Sequence, residues 1–301
     1  MSTYVEPGWI FRFAQMWEEL GPETRTAIID LLPDDWSWEG KRVLDFGCGH
    51  GRTLKHFLAE AERAEIWGVD IHAPAIAELR DTLCPPLHVA ESPYLPPLPG
   101  FAESSFDLIW AVSVFTHLTD NSLPWLLELH RLLKPGGLLI ATYMGRFTSE
   151  FLAREEWDED RVGMNVLRHN HPARDGAPLV LISDWWMREH WGRGFDVLDI
   201  AHVHNQSWPL LRKRDAELTL AALERPSDDP RELIALRHNL AQVQREIEAL
   251  QEKAREDLAG AEAAGRAALD AQRREFEESL SWRLTRPMRL ARRALSRRYR
   301  S

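Results

Sequence analysis

The chain has 301 residues, 44% of them hydrophobic, which is enough for one large domain that buries a core and for an additional segment. No apolar run approaches the roughly 20 residues that span a bilayer, and the N-terminus lacks a signal-peptide pattern. The two cysteines form neither a disulfide framework nor a metal-ligand spacing. We therefore expect a cytoplasmic protein without a metal site.

The net charge of −10 is distributed unevenly. Residues 281–301 contain eight arginines and no Asp, Glu or Lys, so they carry +8 and residues 1–280 carry −18. A body this acidic is not expected to bind nucleic acid. The basic end is a separate electrostatic feature.

The predicted elements begin with a Trp-rich, N-terminal helical cap over residues 1–40. From 41 to 225, apolar strand-like runs alternate with amphipathic helices, which predicts a parallel sheet covered on both faces. Helices are predicted near 52–62, 74–83 and 121–133. Two late strands, FDVLDIAHV and SWPLLRKR, lie too close together for a helix between them and predict an antiparallel hairpin at one sheet edge. The five earlier strands are RVLDFG, EIWGVDI, PLHVAE, SFDLIWAVSVF and LLIATYM.

Residues 145–194 form a long insertion between the fifth and sixth predicted strands. Insertions of this length at the end of a sheet are usually functional. This one contains His169 and His171, and also Trp185, Trp186 and Trp191. The tryptophans either pack in the core or offer an aromatic face to a sugar ring, and the sequence leaves both open.

Residues 228–280 predict a long helix. Its apolar residues recur at alternating intervals of three and four, the spacing of a coiled-coil seam, which favours self-association over a single exposed helix. The seam residues are Leu233, Leu236, Leu240, Val243, Ile247 and Leu250.

Residues 281–301 predict a basic amphipathic tail. Its arginines are interleaved with apolar side chains such as Trp282, Leu284 and Met288. Such a helix can lie on an anionic membrane surface. A disordered basic tail is the alternative.

A glycine-rich loop, VLDFGCGHGR, follows the first strand at residues 43–52. Glycine is needed where a backbone approaches a ligand or adopts a positive φ, and ligands of open α/β sheets bind at this edge. The spacing D-x-G-x-G-x-G, from Asp45 to Gly51, departs from the dinucleotide fingerprint because Arg52 takes the position of the third glycine. An acid before the loop disfavours a pyrophosphate and suits a ligand that carries an ammonium and a sulfonium, as S-adenosylmethionine does.

Asp70 ends the second predicted strand, 19 residues after Gly51. An acid at this place can accept hydrogen bonds from both hydroxyls of a ribose. The alternative is a surface acid that caps the next helix.

Four segments, VLDFGCGHGR, GVDI, SSFDLIWAVSVFTHL and ELHRLLKPGGLLIAT, resemble the ordered motifs of class I S-adenosylmethionine-dependent methyltransferases. The resemblance extends from roughly Trp36 to Arg214. It implies a Rossmann-like, doubly wound α/β fold with a seven-stranded sheet in the order 3-2-1-4-5-7-6, the last strand antiparallel, here followed by the coiled-coil helix. It also implies S-adenosyl-L-methionine as the cofactor. The residues it places around that cofactor are Asp45, Gly47, Cys48, Gly49, Gly51, Asp70, Ile71, Glu91, Ser92, Ala111, Val112 and Ser113.

Three histidines are candidate catalytic bases. Methyl transfer to a hydroxyl requires removal of its proton, and histidine is the commonest base for this step. The resemblance places His117 near the reaction site, although it can equally cap or pack the following helix. His169 and His171 in the insertion are the rival candidates, and no metal-site spacing accompanies them.

The segment SLSWRLTRPMR, at residues 279–289, resembles an S-x-SWR-x-T-x-P-x-R segment near the ends of many bacterial glycosyltransferases and surface-polysaccharide enzymes. Together with the methyltransferase motifs it implies an enzyme that O-methylates a sugar hydroxyl in bacterial cell-surface glycan biosynthesis. The protein would be cytoplasmic or peripheral at the inner membrane face, with a homo-oligomer or glycosyltransferase partner through the coiled coil. A small-molecule natural-product methyltransferase and a non-catalytic cofactor-binding scaffold are the alternatives.

Overall fold

The computed structural model describes residues 20–153, 156–167, 178–203 and 205–298. The chain divides into two compact units, Met1–Leu240 and Ala241–Ser301. Most of the expected N-terminal cap, residues 1–19, lies outside the described residues, and helix α1 is described over 20–31. The further helices are α2 (Ala73–Leu83), α3 (Ser122–Leu132), α4 (Asp184–His190), α5 (Leu220–Glu224), α6 (Pro230–Glu278), α7 (Leu280–Leu284) and α8 (Arg286–Arg298).

One mixed sheet organises the first unit. Its described strands are β1 (Arg42–Phe46), β2 (Glu65–Asp70), β3 (His88–Glu91), β4 (Phe106–Ala111), β5 (Leu133–Ala141), β6 (Tyr143–Met144), β7 (Met164–Leu167), β8 (Leu179–Ile182), β9 (Phe195–Val203) and β10 (Gln206–Lys213). The path β3-β2-β1-β4-β5-β10, with β9 beside β10, reproduces the predicted order 3-2-1-4-5-7-6. Strands β1 to β5 pair in parallel, and β10 is antiparallel to both β5 and β9.

The predicted count of seven strands is wrong, because the sheet has ten strands in the described part of the chain. Strand β10 extends past β5 onto β6, β6 pairs with β8, and β8 pairs with β7. The insertion therefore supplies β7 and β8 to the sheet. The run LVLI of β8 is fully buried but only four residues long, and the sequence pattern did not predict it as a strand.

The predicted helix over 52–62 is also wrong. Two short 3₁₀ turns, Leu54–Phe57 and Glu60–Glu62, take its place. The hydrogen bond from the His56 amide to the Thr53 carbonyl spans three residues, as does the one from Arg63 to Glu60. Leu54 and Phe57 are both fully buried, and an interval of three suits the tighter turn.

The core lies on both faces of the sheet, as a doubly wound fold requires. Adjacent strand residues alternate between two clusters: Leu44 belongs to the cluster beneath α3 and α4, and Val43 to the cluster beneath α1 and α2. Trp185, Trp186 and Trp191 all belong to the first cluster, and none is more than 7% exposed. Core packing, not sugar stacking, is the role of these three tryptophans.

Helix α6 is a single helix of 49 residues. The predicted seam residues along it are 41–60% exposed in this single chain. Whether a second helix covers them stays a prediction. Among the described helices, none combines the length and the apolar character needed to cross a membrane.

Candidate cofactor and acceptor site

The carboxyl ends of five parallel strands, β1 to β5, meet at one edge of the sheet. Strand register pairs Asp70 with Glu91 on β2 and β3, and Ala111 with Ala141 on β4 and β5. Asp45 lies one residue before the end of β1, between these two pairs. The edge thus gathers the predicted cofactor residues, which are far apart in the sequence.

The backbone amides of the glycine loop after β1 donate to acceptors within the protein. The amides of Gly47 and Cys48 both donate to the Val69 carbonyl, at 2.8 and 3.0 Å. The Gly49 amide donates to Asp70 Oδ2 at 2.8 Å, and the Gly51 amide to the Cys48 carbonyl at 2.9 Å. A phosphate-binding loop needs free amides at the start of a helix. These four amides are committed elsewhere, so the loop is not a pyrophosphate cradle.

The three loop glycines all have positive φ, at +81° for Gly47, +54° for Gly49 and +74° for Gly51. A Cβ at Gly47 would lie 2.3 Å from Val114 Cγ2. A Cβ at Gly49 would meet nothing within 4 Å. The loop is therefore packed tightly against the segment after β4 and leaves open space above Gly49, where a ligand can approach the backbone.

Asp45 is 3% exposed, and its Oδ2 atom has no hydrogen-bond partner among the described residues. Burial raises the pKa of Asp45 to about 7, and Asp70 adds to this, against an opposing effect of the Trp110 indole and the Arg52 guanidinium. A buried carboxylate without a full complement of partners favours a cation beside it.

Asp70 ties two segments together. Its Oδ2 accepts from Gly49, and its Oδ1 accepts from the His72 amide at 2.8 Å. Each oxygen keeps a second lone pair for a ligand hydroxyl. The neighbouring Ile71 is 62% exposed, which is unusual for an aliphatic side chain beside a cleft, and Ser92 donates its amide to the Asp70 carbonyl.

Cys48 contributes differently from the other loop residues. It is 7% exposed and its Sγ lies close to Gly68 of β2. Burial raises the pKa of this thiol well above its usual range. Only the backbone of Cys48 is therefore placed to face a ligand.

The segment after β4 has its own strained turn. Ala111 is fully buried and Val112 is partly buried in the core, and Ser113 has φ +61°, uncommon for a residue with a side chain. The Ser113 amide donates to Thr142 Oγ1 at 2.8 Å, and Gln206 Nε2 donates to Ser113 Oγ at 2.9 Å. Gln206 thereby joins the end of β4 to the β9–β10 hairpin.

Beyond Gln206 lies a cavity of about 400 Å³, a size that suits a small organic ligand. It combines aromatic rings, carboxylates, one arginine and amide and hydroxyl groups. The sequence analysis missed this cavity, because its walls come from four separate segments. Its lining residues are Gly145, Arg146, Phe147, Trp157, Glu159, Ile182, Asp184, His202, Asn205, Gln206 and Ser207.

The three predicted catalytic histidines are not among the residues that line this cavity in the described part of the chain. His117 is exposed, and its Nδ1 lies 2.8 Å from the Pro178 carbonyl just before β8. His169 and His171 lie outside the described residues. The histidine that does line the cavity is His202, near the end of β9. No sequence pattern marked His202, because the hairpin also carries Asp196, Asp199 and Gln206.

Comparison with known proteins agrees with this geometry. Residues 44–139 match the family model described as a methyltransferase domain. The 2-methyl-6-phytyl-1,4-hydroquinone methyltransferase of Synechocystis is 27% identical over 48% of this chain and 43% of its own length. The tRNA N(3)-methylcytidine methyltransferase of Schizosaccharomyces pombe is 32% identical over 57% of this chain and 56% of its own. The chain spans about half the length of these curated relatives.

Solved structures show the same fold. The complex of the Haloferax volcanii Trm112 methyltransferase activator with a methyltransferase aligns at a TM-score of 0.50, with 16% identity, over 70% of this chain and 97% of that chain. The fold is thus the Rossmann-like fold of methyltransferases. Residues 44–139 thus match a methyltransferase domain, and the cofactor that this match implies is S-adenosylmethionine.

The residues present suit this cofactor. The unpartnered buried oxygen of Asp45 offers a carboxylate to a cationic ligand, and the open space above Gly49 lets that ligand reach the loop. Asp70 offers acceptors for hydroxyl groups, and the exposed Ile71 offers an apolar surface for a flat ring. The loop amides donate to protein acceptors and are not available to a phosphate, which S-adenosylmethionine does not carry. When bound, S-adenosylmethionine supplies an electrophilic methyl group on a sulfonium.

Proposed function

We propose that the chain is a methyltransferase that O-methylates a sugar hydroxyl in bacterial cell-surface glycan biosynthesis. The observation that carries this proposal is the cavity joined by Gln206 to the end of β4. The cavity opens at the carboxyl edge of the sheet, and the hydrogen bond from Gln206 to Ser113 links it to the end of β4, the strand next to β1 and its glycine loop.

The cavity chemistry favours a sugar. Phe147 is 44% exposed and stacks on Phe151, with ring centroids 4.7 Å apart, at the cavity wall. The ring of Trp157 forms part of the same lining. Aromatic faces suit the apolar C–H face of a sugar ring, while the Glu159 and Asp184 carboxylates can accept hydrogen bonds from its hydroxyls. A flat quinol or lipid head would require fewer carboxylates.

The C-terminal helices suit a role at a surface. Exposed apolar residues of α6, including Val243, Ile247 and Leu250, give it a stripe that a second helix can cover. We propose self-association through this stripe, with a glycosyltransferase as the alternative partner.

The segment that resembles the SWR-x-T-x-P-x-R pattern forms a compact turn between α7 and α8. Ser279 Oγ accepts from the Trp282 amide at 3.3 Å, and Thr285 Oγ1 donates to the Ser281 carbonyl at 2.8 Å. The Arg289 guanidinium lies 3.4 Å from the Trp282 ring centroid. These contacts fix the direction in which the arginine-rich α8 leaves the turn. We propose that α8 binds an anionic membrane surface and makes the protein peripheral at the inner face of the cytoplasmic membrane.

The first test is a calorimetric titration of the full chain with S-adenosylmethionine, S-adenosylhomocysteine and NAD. We expect binding of both sulfur nucleotides and none of NAD, because the loop amides are committed. Transfer of a labelled methyl group to p-nitrophenyl glycosides then tests the acceptor class. Methylation of quinols but not glycosides would establish the small-molecule alternative, and binding without any transfer would favour the scaffold.

The tail needs a separate test. We expect the full chain to bind vesicles that contain anionic lipid and not purely zwitterionic vesicles. Serine substitutions of the exposed Arg283, Arg286 and Arg292 should weaken that binding while leaving cofactor affinity unchanged, since charge attraction adds about 1 kcal/mol for each arginine. Equal binding by the substituted chain would contradict the membrane role.

A further inference from the structure

The side chains of His202, Asp184, Ser207 and Tyr143 form a circuit of contacts; the first three line the cavity, and Tyr143 is fully buried. We propose that His202 is the general base for the acceptor hydroxyl, and that Asp184, Tyr143 and Ser207 hold its imidazole with Nε2 free. This inference rests on the methyltransferase activity proposed above. It assigns the base to a residue far in the sequence from the methyltransferase motifs.

Strand register brings three of the four side chains into one row. Ser207 on β10 pairs with Tyr143 on β6 and with His202 on β9. Register partners on neighbouring strands point to the same face of a sheet. Asp184 joins them from the first residue of α4, directly after β8, which pairs with β6. The geometry of the circuit therefore comes from the sheet extension that the insertion provides.

Two contacts of the circuit have hydrogen-bond lengths, and a third is longer. The Tyr143 hydroxyl donates to Asp184 Oδ1 at 2.5 Å. The other carboxylate oxygen, Oδ2, lies 3.8 Å from His202 Nε2. His202 Nδ1 lies 3.0 Å from Ser207 Oγ. A separation of 3.8 Å is too long for a hydrogen bond, so Asp184 attracts the imidazole without occupying its Nε2.

The direction of the hydrogen bonds determines which nitrogen is free. Burial and the Asp184 carboxylate raise the pKa of Tyr143 well above its usual range, against a smaller lowering by a hydrogen bond from Ser207. Tyr143 therefore stays protonated and donates to Asp184. In the proposed arrangement Ser207 Oγ, which lies 3.0 Å from His202 Nδ1, accepts a hydrogen bond from Nδ1–H. The neutral imidazole then carries its lone pair on Nε2, beside Asp184 and towards the cavity.

This arrangement meets the requirements of a general base. In the transfer step, the acceptor oxygen bonds to the methyl carbon while the carbon–sulfur bond breaks and leaves its electron pair on sulfur. The hydroxyl proton passes to His202 Nε2. The Asp184 carboxylate stabilises the resulting imidazolium, which afterwards releases the proton to water. Arg146 and Glu159 are the other charged residues that line the cavity in the described part.

His117 is less suited to this role. His117 Nδ1 lies 2.8 Å from the Pro178 carbonyl oxygen, but no carboxylate is described beside its Nε2. An imidazolium at His117 would therefore lack the partner that Asp184 offers to His202. If His202 is the base, its substitution should slow methyl transfer and that of His117 should not; the reverse holds if His117 is the base.

The first experiment needs neither cofactor nor acceptor. Diethyl pyrocarbonate acylates neutral imidazoles, and its site of reaction can be mapped by mass spectrometry on the full chain at pH 8. The exposed His88, stacked on Trp67 at the other end of the sheet, is the internal reference. We expect His202 to react about fivefold faster than His88, and Asp184→Asn to remove this difference, because the carboxylate stabilises the developing positive charge. Equal reactivity in both proteins would overturn the proposal.

The second experiment uses p-nitrophenyl glycosides and labelled S-adenosylmethionine. We expect His202→Gln to slow methyl transfer by about 100-fold while the calorimetric affinity for S-adenosylmethionine stays unchanged. His88→Gln is the matched control and should keep the full rate. The proposal would be overturned if His202→Gln kept the full rate of methyl transfer, or if His117→Gln lost about 100-fold and His202→Gln did not. If the unmodified chain methylates no glycoside, the proposed acceptor fails, while the acylation experiment still decides the state of His202.

Discussion

The cofactor loop and the acceptor cavity are built in different ways. The loop is a continuous segment, Asp45 to Gly51, held by backbone hydrogen bonds to Val69 and one carboxylate, Asp70. The cavity is assembled from residues of four separate segments: 145–147, 157 and 159, 182 and 184, and 202 with 205–207. One site depends on backbone shape, and the other on the chemistry of side chains that meet only in the folded protein.

The loop and the cavity should therefore differ in how well they tolerate substitutions. A loop defined by positive φ values tolerates little change, because only glycine adopts them without strain. A cavity lined by side chains can change its acceptor through a few substitutions while the strands stay in place. We therefore expect substitutions in the loop to affect cofactor binding and those in the cavity to affect acceptor chemistry.

The largest effect should follow Gly47→Ala. The new Cβ would lie 2.3 Å from Val114 Cγ2 at a φ of +81°. Strain and overpacking together cost about 2–5 kcal/mol of unfolding free energy, and the displaced loop should lose at least about 100-fold in affinity for S-adenosylmethionine. Urea denaturation and calorimetry measure the two losses.

Gly40→Ala is the matched control for Gly47→Ala. Gly40 has a φ of +66°, but a Cβ there meets nothing within 4 Å. We expect only the backbone strain, about 1 kcal/mol, and an unchanged affinity for the cofactor. A similar loss of affinity in both variants would show that general instability, not loop shape, controls binding.

The second effect concerns the buried carboxyl of Asp45. Its pKa of about 7 in the folded chain exceeds the ordinary value of 3.8, so the folded state binds the proton more tightly than the unfolded state does. This contribution to stability is complete below about pH 4, falls as the pH rises to about 7, and is constant above. Asp45→Asn, which does not ionise, should be more stable than the unmodified chain at pH 8 by up to about 4 kcal/mol.

Urea unfolding at pH 4, 6 and 8 measures this difference, which should be smallest at pH 4. The same carboxylate should favour a cationic ligand, so Asp45→Asn should also weaken S-adenosylmethionine binding at pH 8. A stability difference that does not change with pH would contradict the buried, uncompensated charge.

Much of the fold follows from local patterns. The strands β1 to β5 are apolar runs, and the order of the central strands accompanies the motifs around Gly47 and Asp70. The β9–β10 hairpin was readable because no helix fits between its strands. The path of the insertion could not be predicted, because β7 and β8 have four residues each and β6 only two, which are too short to give a pattern.

The candidate site divides along the same line. Asp45, the loop glycines and Asp70 are recognisable because their spacing in the sequence reflects one turn of backbone. His202 and Asp184 are separated by 18 positions and meet only through the register of β6, β10 and β9. The search for a base near the end of β4 therefore led to His117 instead.

The third effect tests whether Asp70 acts as an acceptor. Asp70→Asn keeps the size of the side chain but places an amide donor opposite the Gly49 or His72 amide, which removes one of two hydrogen bonds. We expect about a 10- to 150-fold loss of cofactor affinity by calorimetry, since hydrogen bonds to charged groups contribute about 1.5–3 kcal/mol. Glu91→Gln, at the exposed register partner of Asp70, is the control and should lose less. A larger loss in Glu91→Gln would assign the dominant acceptor to β3.

The smallest effect should separate the two regions most cleanly. Tyr143→Phe removes the hydroxyl that donates to Asp184 and keeps the buried ring. We expect about 1 kcal/mol less stability, because one hydrogen bond is lost, and an unchanged affinity for S-adenosylmethionine. The accelerated acylation of His202 should decrease, because the Asp184 carboxylate loses the hydroxyl donor that orients it beside the imidazole. If Tyr143→Phe instead weakened cofactor binding and left His202 unchanged, the cavity and the loop would form one functional region, and the division between backbone and side-chain sites would not hold.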